Sequence, residues 1–333
     1  MAIASGCVDF HTHYIDPSLE DVVLPRCVTL ARAGRSGSLL LDGALYRAID
    51  DRSWDAERRI ADMDAEHVAL QVLSPIPVSY AYEAAPADAE RHARAQNDAL
   101  AAVVRRRPDR FAGLGTVPLQ DVDRACAELE RAMRDLGLCG VEIGTVVAGR
   151  ELDDPALEAF WACCESLDAI VFVHPESAPG FDRLRRRMLV ISAGYPSETG
   201  FAGAALLTSG LLERRRLRIV LAHGGGTLPW LLPRLDRLWE TMPELRTATG
   251  RPSEVARSLY CDTLTFDARN LALLLERFEP SHVVAGSDYP FTIRESPAGK
   301  VTAEVPRYRE ALRSENALRL LGRSHTTQEA MPT

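Results

Sequence analysis

Eight short apolar segments, each followed by a stretch with helical spacing, recur along the chain, and this alternation narrows the choice of fold more than any other feature. The predicted strands cover 8–10, 68–73, 112–117, 140–143, 170–173, 218–222, 258–262 and 282–286. Apolar residues three and four apart among charged ones predict helices over about 54–66, 87–106, 122–136, 155–167, 196–212, 228–239 and 268–277. Right-handed crossovers of this kind either wind an open sheet or close at eight strands. No GxGxxG follows the first strand, which argues against an open dinucleotide-binding sheet. The expectation is therefore an α/β fold, a single (β/α)8 TIM barrel over 1–323. Residues 14–53 lack regular periodicity and read as an N-terminal insertion, a long loop with a short hairpin near 38–45. Closing helices are expected over 303–321, and 324–333 reads as a C-terminal tail.

A length of 333 residues suits one such barrel, and 46% hydrophobic with 26% charged residues can bury its core. The net charge of -8 suggests neither a nucleic-acid nor a membrane surface. No apolar run reaches eighteen residues and the N-terminus does not read as a signal peptide, so a cytoplasmic protein is expected. The seven cysteines include no CxxC pair and read as reduced, mostly buried thiols; Cys7 should face away from His11 by strand alternation. Arginine runs stand at 105–107, 185–187 and 214–216, of which the first and last read as solvated helix ends.

Active sites of such barrels lie at the C-terminal ends of the strands, so polar residues there carry the functional argument. His11 and His13 end the first strand, two residues apart and hence on one face. His174 follows the fifth strand, His223 the sixth and Asp288 the eighth. Any one of these could simply hydrogen-bond a backbone group, but together they form the nitrogen and oxygen set of a transition-metal site. His67, His92 and His325 fall on helix or tail positions and His282 precedes its strand, so these four read as structural or exposed.

The motifs Asp9-Phe10-His11-Thr12-His13, Phe172-Val173-His174-Pro175, Ala222-His223-Gly224-Gly225-Gly226 and Gly286-Ser287-Asp288-Tyr289-Pro290-Phe291 together resemble the amidohydrolase superfamily. Within it the chain is similar to the decarboxylase branch typified by 2-amino-3-carboxymuconate-6-semialdehyde decarboxylases, over nearly its whole length. The resemblance implies that His11, His13, His174 and Asp288 hold zinc, with manganese or cobalt as alternatives, and that His223 is the acid–base residue. It implies further that Arg47 and Arg234 hold substrate carboxylates, Arg234 from across a homodimer interface. Phe291 and Glu176 are expected in the substrate pocket. The chain departs from the branch at Glu176-Ser177, where the pattern has Trp-Asp, and over 188–194, where it has an aromatic-bearing loop.

The implied activity is metal-dependent, non-oxidative decarboxylation of an unsaturated or aromatic carboxylic acid similar to aminocarboxymuconate semialdehyde. No organic cofactor is needed, because the substrate's own conjugation accepts the charge. Hydrolysis or hydration of a related carboxylated substrate would use the same five residues. A barrel that keeps its metal as an inactive scaffold is a third reading.

Overall fold

The computed structural model describes residues 2–325 except 4, 21, 178, 179 and 185. Parallel strands covered on both faces must be apolar nearly throughout. The runs rich in Val, Ile, Leu and Phe accordingly form the inner strands β1 (Cys7–Tyr14), β2 (Val68–Pro75), β3 (Phe111–Gly113), β4 (Gly140–Ile143), β5 (Ile170–Val173), β6 (Arg218–Leu221), β7 (Tyr260–Asp262) and β8 (Val283–Val284). They pair in parallel as two arcs, β1-β2-β3 and β4 to β8 in order. The arcs join at both seams. Between β3 and β4, Cys139 N–H donates to Gly113 O at 2.8 Å and Gly115 N–H to Gly140 O at 2.9 Å. Between β8 and β1, Phe10 N–H donates to Ala285 O at 2.8 Å and His13 N–H to Tyr289 O at 2.7 Å. These bonds close the ring expected of a (β/α)8 barrel.

The returning helices are α1 (Ala56–Ala65), α2 (Pro86–Arg106), α3 (Val122–Arg134), α4 (Glu158–Ser166), α5 (Tyr195–Thr208), α6 (Leu228–Thr241) and α7 (Ala268–Arg277). Asp55, Asp121 and Asp267 cap α1, α3 and α7 by accepting backbone N–H bonds. Phe10, Leu70, Phe172, Val220 and Val284 fill the barrel, and Ala317, Leu318 and Leu320 pack against them from the C-terminal helical turns. The closing helices expected over 303–321 are thus a turn at Lys300–Glu304 and the segments Ala311–Glu315 and Asn316–Leu320.

The insertion holds more structure than expected. An antiparallel meander runs through Val28–Ala33, Ser36–Leu41 and Ala44–Asp50. The hairpin expected near 38–45 is its second turn, made by Asp42 and Gly43, both at positive φ as a tight two-residue hairpin requires. The first strand was missed because Ala31-Arg32-Ala33 is exposed and shows no alternation. Val28, Leu30 and Leu39 pack with Ile15, Trp54, Ile76 and Phe291, fastening the meander over the C-terminal end of the barrel.

Ser324–His325 pairs in parallel with Ala2–Ile3, so the expected tail begins as a strand; its residues 326–333 lie outside the described residues. All seven cysteines are free, and Cys7 is fully buried. No helix among the described residues is long and apolar enough to cross a membrane.

Candidate metal and catalytic site

One extra residue on β1 shifts its register against β2 between Asp9 and Thr12, a bulge of the kind that re-aims side chains beside active sites. His11 within it and His13 just beyond it share the inward face. Their Nε2 atoms are 3.2 Å apart, and Asp288 Oδ1 lies 3.2 Å from His13 Nε2 and 3.5 Å from His11 Nε2. With His174, which follows β5, they form a buried group whose ligand atoms all lie within 4.8 Å of one another. His174 Nε2 and Asp288 Oδ1 are buried without a hydrogen-bond partner, which is costly unless something else satisfies them. Three imidazoles and a carboxylate with free inward lone pairs fit a divalent transition metal.

The outward ring nitrogens are all engaged, as metal-binding imidazoles require. His11 Nδ1 lies 2.7 Å from Asp262 Oδ2, His13 Nδ1 3.2 Å from Pro75 O and His174 Nδ1 2.9 Å from Pro175 O. Burial, reinforced by the neighbouring imidazoles, drives His174 well below the usual histidine range, so it stays neutral. Burial raises the carboxyls of Asp262 and Asp288, but the hydrogen bond to His11 for Asp262, and the imidazoles of His13 and His11 facing Asp288, outweigh it and hold both below the ordinary carboxylate range.

His223 sits beside this group, its ring centroid 4.9 Å from that of His174 and 5.4 Å from that of His11. Its placement follows from the glycines behind it. His223 adopts φ 56°, and its N–H and that of Gly224 donate to Asp262 at 3.0 and 2.7 Å. Gly226 has φ 59°, and a Cβ there would lie 1.9 Å from Pro196 O, so α5 and the loop approach this closely only with glycine. Asp288 has φ 67°, a second non-glycine residue of the site held left-handed. Burial, then the nearby His11, lowers His223 to about 4. Its Nδ1 is 3.4 Å from Thr199 Oγ1, which leaves Nε2 free.

His174, His223 and Asp288 line a cavity of about 490 Å³ under the meander. Arg47 and Phe291 also line it, the guanidinium 4.2 Å from the Phe291 ring centre and that ring 5.2 Å from His13. Tyr46 and Tyr195 close the wall with their hydroxyls 2.8 Å apart. Two expected pocket residues are elsewhere in the single chain. Glu176 does not line the cavity; its electrostatic neighbours are Arg26 and Glu83, and burial raises its carboxyl to about 8. Arg234 is exposed on the outer face of α6.

Of the remaining histidines, His92 is buried, with Nε2 3.1 Å from Ser79 O, His282 stacks on Tyr260 and His67 is exposed. The His325 side chain lies outside the described residues. Sequence reasoning missed Asp262 and Glu142. The latter is buried on β4 with Oε2 3.7 Å from His13 Nδ1 and accepts from Tyr80. Both are polar residues near the C-terminal end of a barrel strand, a signal the sequence does contain.

A metal-capable group at the mouth of a (β/α)8 barrel defines a metal-dependent barrel enzyme, and a family model described as amidohydrolase matches residues 8–323. The chain belongs to the amidohydrolase family. It is 33% identical to the 2-amino-3-carboxymuconate-6-semialdehyde decarboxylase of Dictyostelium discoideum, over 95% of this chain and 91% of that one. The crystal structure of 5-carboxyvanillate decarboxylase from Sphingomonas paucimobilis superposes with a TM-score of 0.74 at 28% identity, covering 82% and 85% of the two chains. A dihydroxybenzoic acid decarboxylase from Polaromonas, solved with manganese and 2-nitroresorcinol, shares the fold with a TM-score of 0.76 at 21% identity over 96% and 97%. The chain is a carboxy-lyase of the amidohydrolase superfamily.

Proposed function

We propose that the chain removes carbon dioxide, without oxidation, from an unsaturated or aromatic carboxylic acid of the aminocarboxymuconate semialdehyde kind. The observation that carries this is the convergence of His11, His13, His174 and Asp288, with His223 beside them, on a cavity whose wall holds Arg47 against Phe291. Those four residues hold a divalent ion, zinc by preference for an imidazole-rich set, with manganese and cobalt able to replace it. When bound, the ion supplies a Lewis acid at the cavity floor. Arg47 forks the substrate carboxylate, and the Phe291 ring offers an apolar wall for the conjugated system. The bond to the carboxyl carbon breaks, its electron pair passes into the conjugated system, carbon dioxide leaves, and His223 relays through Nε2 to the carbon left behind a proton that it takes up from water.

Arg234 serves the neighbouring subunit of a homodimer. Trp230, one turn earlier on α6, is 79% exposed yet lines the mouth of the cavity, so this face of the helix extends from the site toward a partner. The protein acts in the cytoplasm.

Carbon dioxide release from metal-loaded protein, offered carboxylated muconate semialdehydes, hydroxybenzoates and aminobenzoates, tests the reading. A product lighter by one carboxyl group supports it. A product heavier by one water, with no carbon dioxide, makes the chain a hydrolase or hydratase, and full metal content without turnover on any acid makes it a scaffold.

A further inference from the structure

The third strand of the meander, Ala44–Asp50, carries Tyr46 beside Arg47. Successive side chains of a regular strand face opposite sides, yet both of these line the cavity of about 490 Å³. The pairing of the strand explains how. Leu39 pairs with Arg47 and Leu40 with Leu45, so Tyr46 is the extra residue of a bulge, which turns its side chain to the side that Arg47 already faces. There the Tyr46 ring packs against the cluster of Leu39, Ile76 and Phe291, all of which line the same cavity. Its hydroxyl meets that of Tyr195, the first residue of α5 and also part of the cavity wall, at 2.8 Å. Among the described residues neither hydroxyl has a second hydrogen-bond partner. Two paired hydroxyls spend one of their two protons on each other, which leaves one O–H to donate. Tyr195 is 8% exposed and Tyr46 less deeply buried, and the more buried hydroxyl loses more by leaving its proton unpaired. Tyr195 therefore donates to Tyr46, and the O–H left over is that of Tyr46, set among the apolar side chains of the cluster.

We propose that the Tyr46–Tyr195 pair determines substrate specificity, with Tyr46 donating one hydrogen bond to an uncharged oxygen of the acid whose carboxylate Arg47 holds. A single neutral donor among apolar side chains satisfies a hydroxyl or carbonyl oxygen, whereas a second carboxylate there would keep most of its charge unpaired. The inference rests on the function proposed above and narrows it to acids that carry a hydroxyl or carbonyl group besides the carboxylate. Tyr195 is a positioning residue, since it acts by fixing the direction in which Tyr46 donates.

Isothermal titration of the metal-loaded protein tests this with benzoates that bear a hydroxyl, formyl or methyl group at position 3 or 4. Wild type should bind a hydroxyl or formyl ligand about tenfold tighter than the methyl ligand of the same pattern, the worth of one net hydrogen bond. A larger gain from formyl assigns the oxygen to a carbonyl and a larger gain from hydroxyl to a hydroxyl group, and either supports the proposal. Tyr46→Phe, which keeps the ring, should lose the preference. Tyr195→Phe, which leaves the Tyr46 hydroxyl without its guide, should keep part of it. A merely structural tyrosine would not move this ratio, because a damaged fold weakens all the ligands together. The proposal is overturned by a wild type that binds the methyl ligands as tightly as the others or binds none of the acids, and by a Tyr46→Phe or Tyr195→Phe protein that keeps the full preference. Carbon dioxide release from hydroxybenzoates is followed in the same preparations. Release without the preference overturns the proposal alone, and the preference without release counts against the proposed activity alone.

Discussion

The division of labour among the five site residues is open to single substitutions. His174→Ala and Asp288→Ala each remove a ligand from a buried four-membered set and should abolish metal and turnover together, measured by elemental analysis and by carbon dioxide release. His223→Ala should instead keep its metal and lose roughly two to four powers of ten in turnover, the usual cost of a missing acid–base group. Metal loss in His223→Ala as complete as in His174→Ala would make it a ligand. Asp262→Asn addresses a residue that touches no metal position. Its carboxylate accepts from His11 Nδ1 and from the N–H groups of His223 and Gly224, so it sets the orientation of both histidines at once. The amide should lower metal affinity by about tenfold to a hundredfold, the range seen when a supporting carboxylate is lost, and unchanged affinity would make Asp262 a purely structural residue. His11, His13, His174, His223 and Asp288 were legible because polar residues stand out where an apolar strand ends. The role of Asp262 was not, because its partner His11 is 251 positions away and no local spacing marks the pair.

At the level of elements, strand and helix alternation revealed the barrel because its strands are apolar on both faces and its helices amphipathic. The meander hid for the converse reason: half-buried on one side only, it carries Ser36, Gly37 and Ser38 where a core strand would carry branched apolar residues. Helix α2 carries a prediction of its own through His92, which is buried against the loop at Ser79 and which burial lowers to about 4. The folded protein keeps this imidazole neutral, whereas the unfolded chain takes up a proton near 6.5, so the unfolded state binds more protons below that pH. Stability from this group is therefore present above 6.5 and is lost as the pH falls toward 4. Between pH 7.5 and 5 the loss is roughly 2 kcal/mol. Denaturant unfolding at the two pH values should show His92→Gln losing less stability than wild type by about that amount. Equal losses in the two proteins would mean that His92 protonates in the folded state without cost.

The whole molecule raises the question of how many chains complete one site. Within one chain the cavity contains Arg47 but not Arg234, which points outward from α6 between exposed Trp230 and Leu238. Large apolar side chains exposed around a charged one are what a subunit interface looks like before its partner arrives. In a two-fold dimer each α6 would reach the other subunit's cavity mouth, where Trp230 already stands. Each cavity would then draw Arg47 from its own chain and Arg234 from the other. Arg47→Ala and Arg234→Ala proteins, each inactive alone, should therefore regain activity on mixing. A heterodimer has one cavity lacking both arginines and one with both intact. Random exchange of equal amounts makes about half the dimers mixed, with one working cavity in two, so recovery should approach about a quarter of wild-type activity. Exchange is followed independently by labelling the two chains with different fluorophores. Mixtures that exchange fully yet stay inactive would place both arginines in one chain's own site, or leave Arg234 as a surface residue of the helix, and the dimer would then have no part in recognising the substrate.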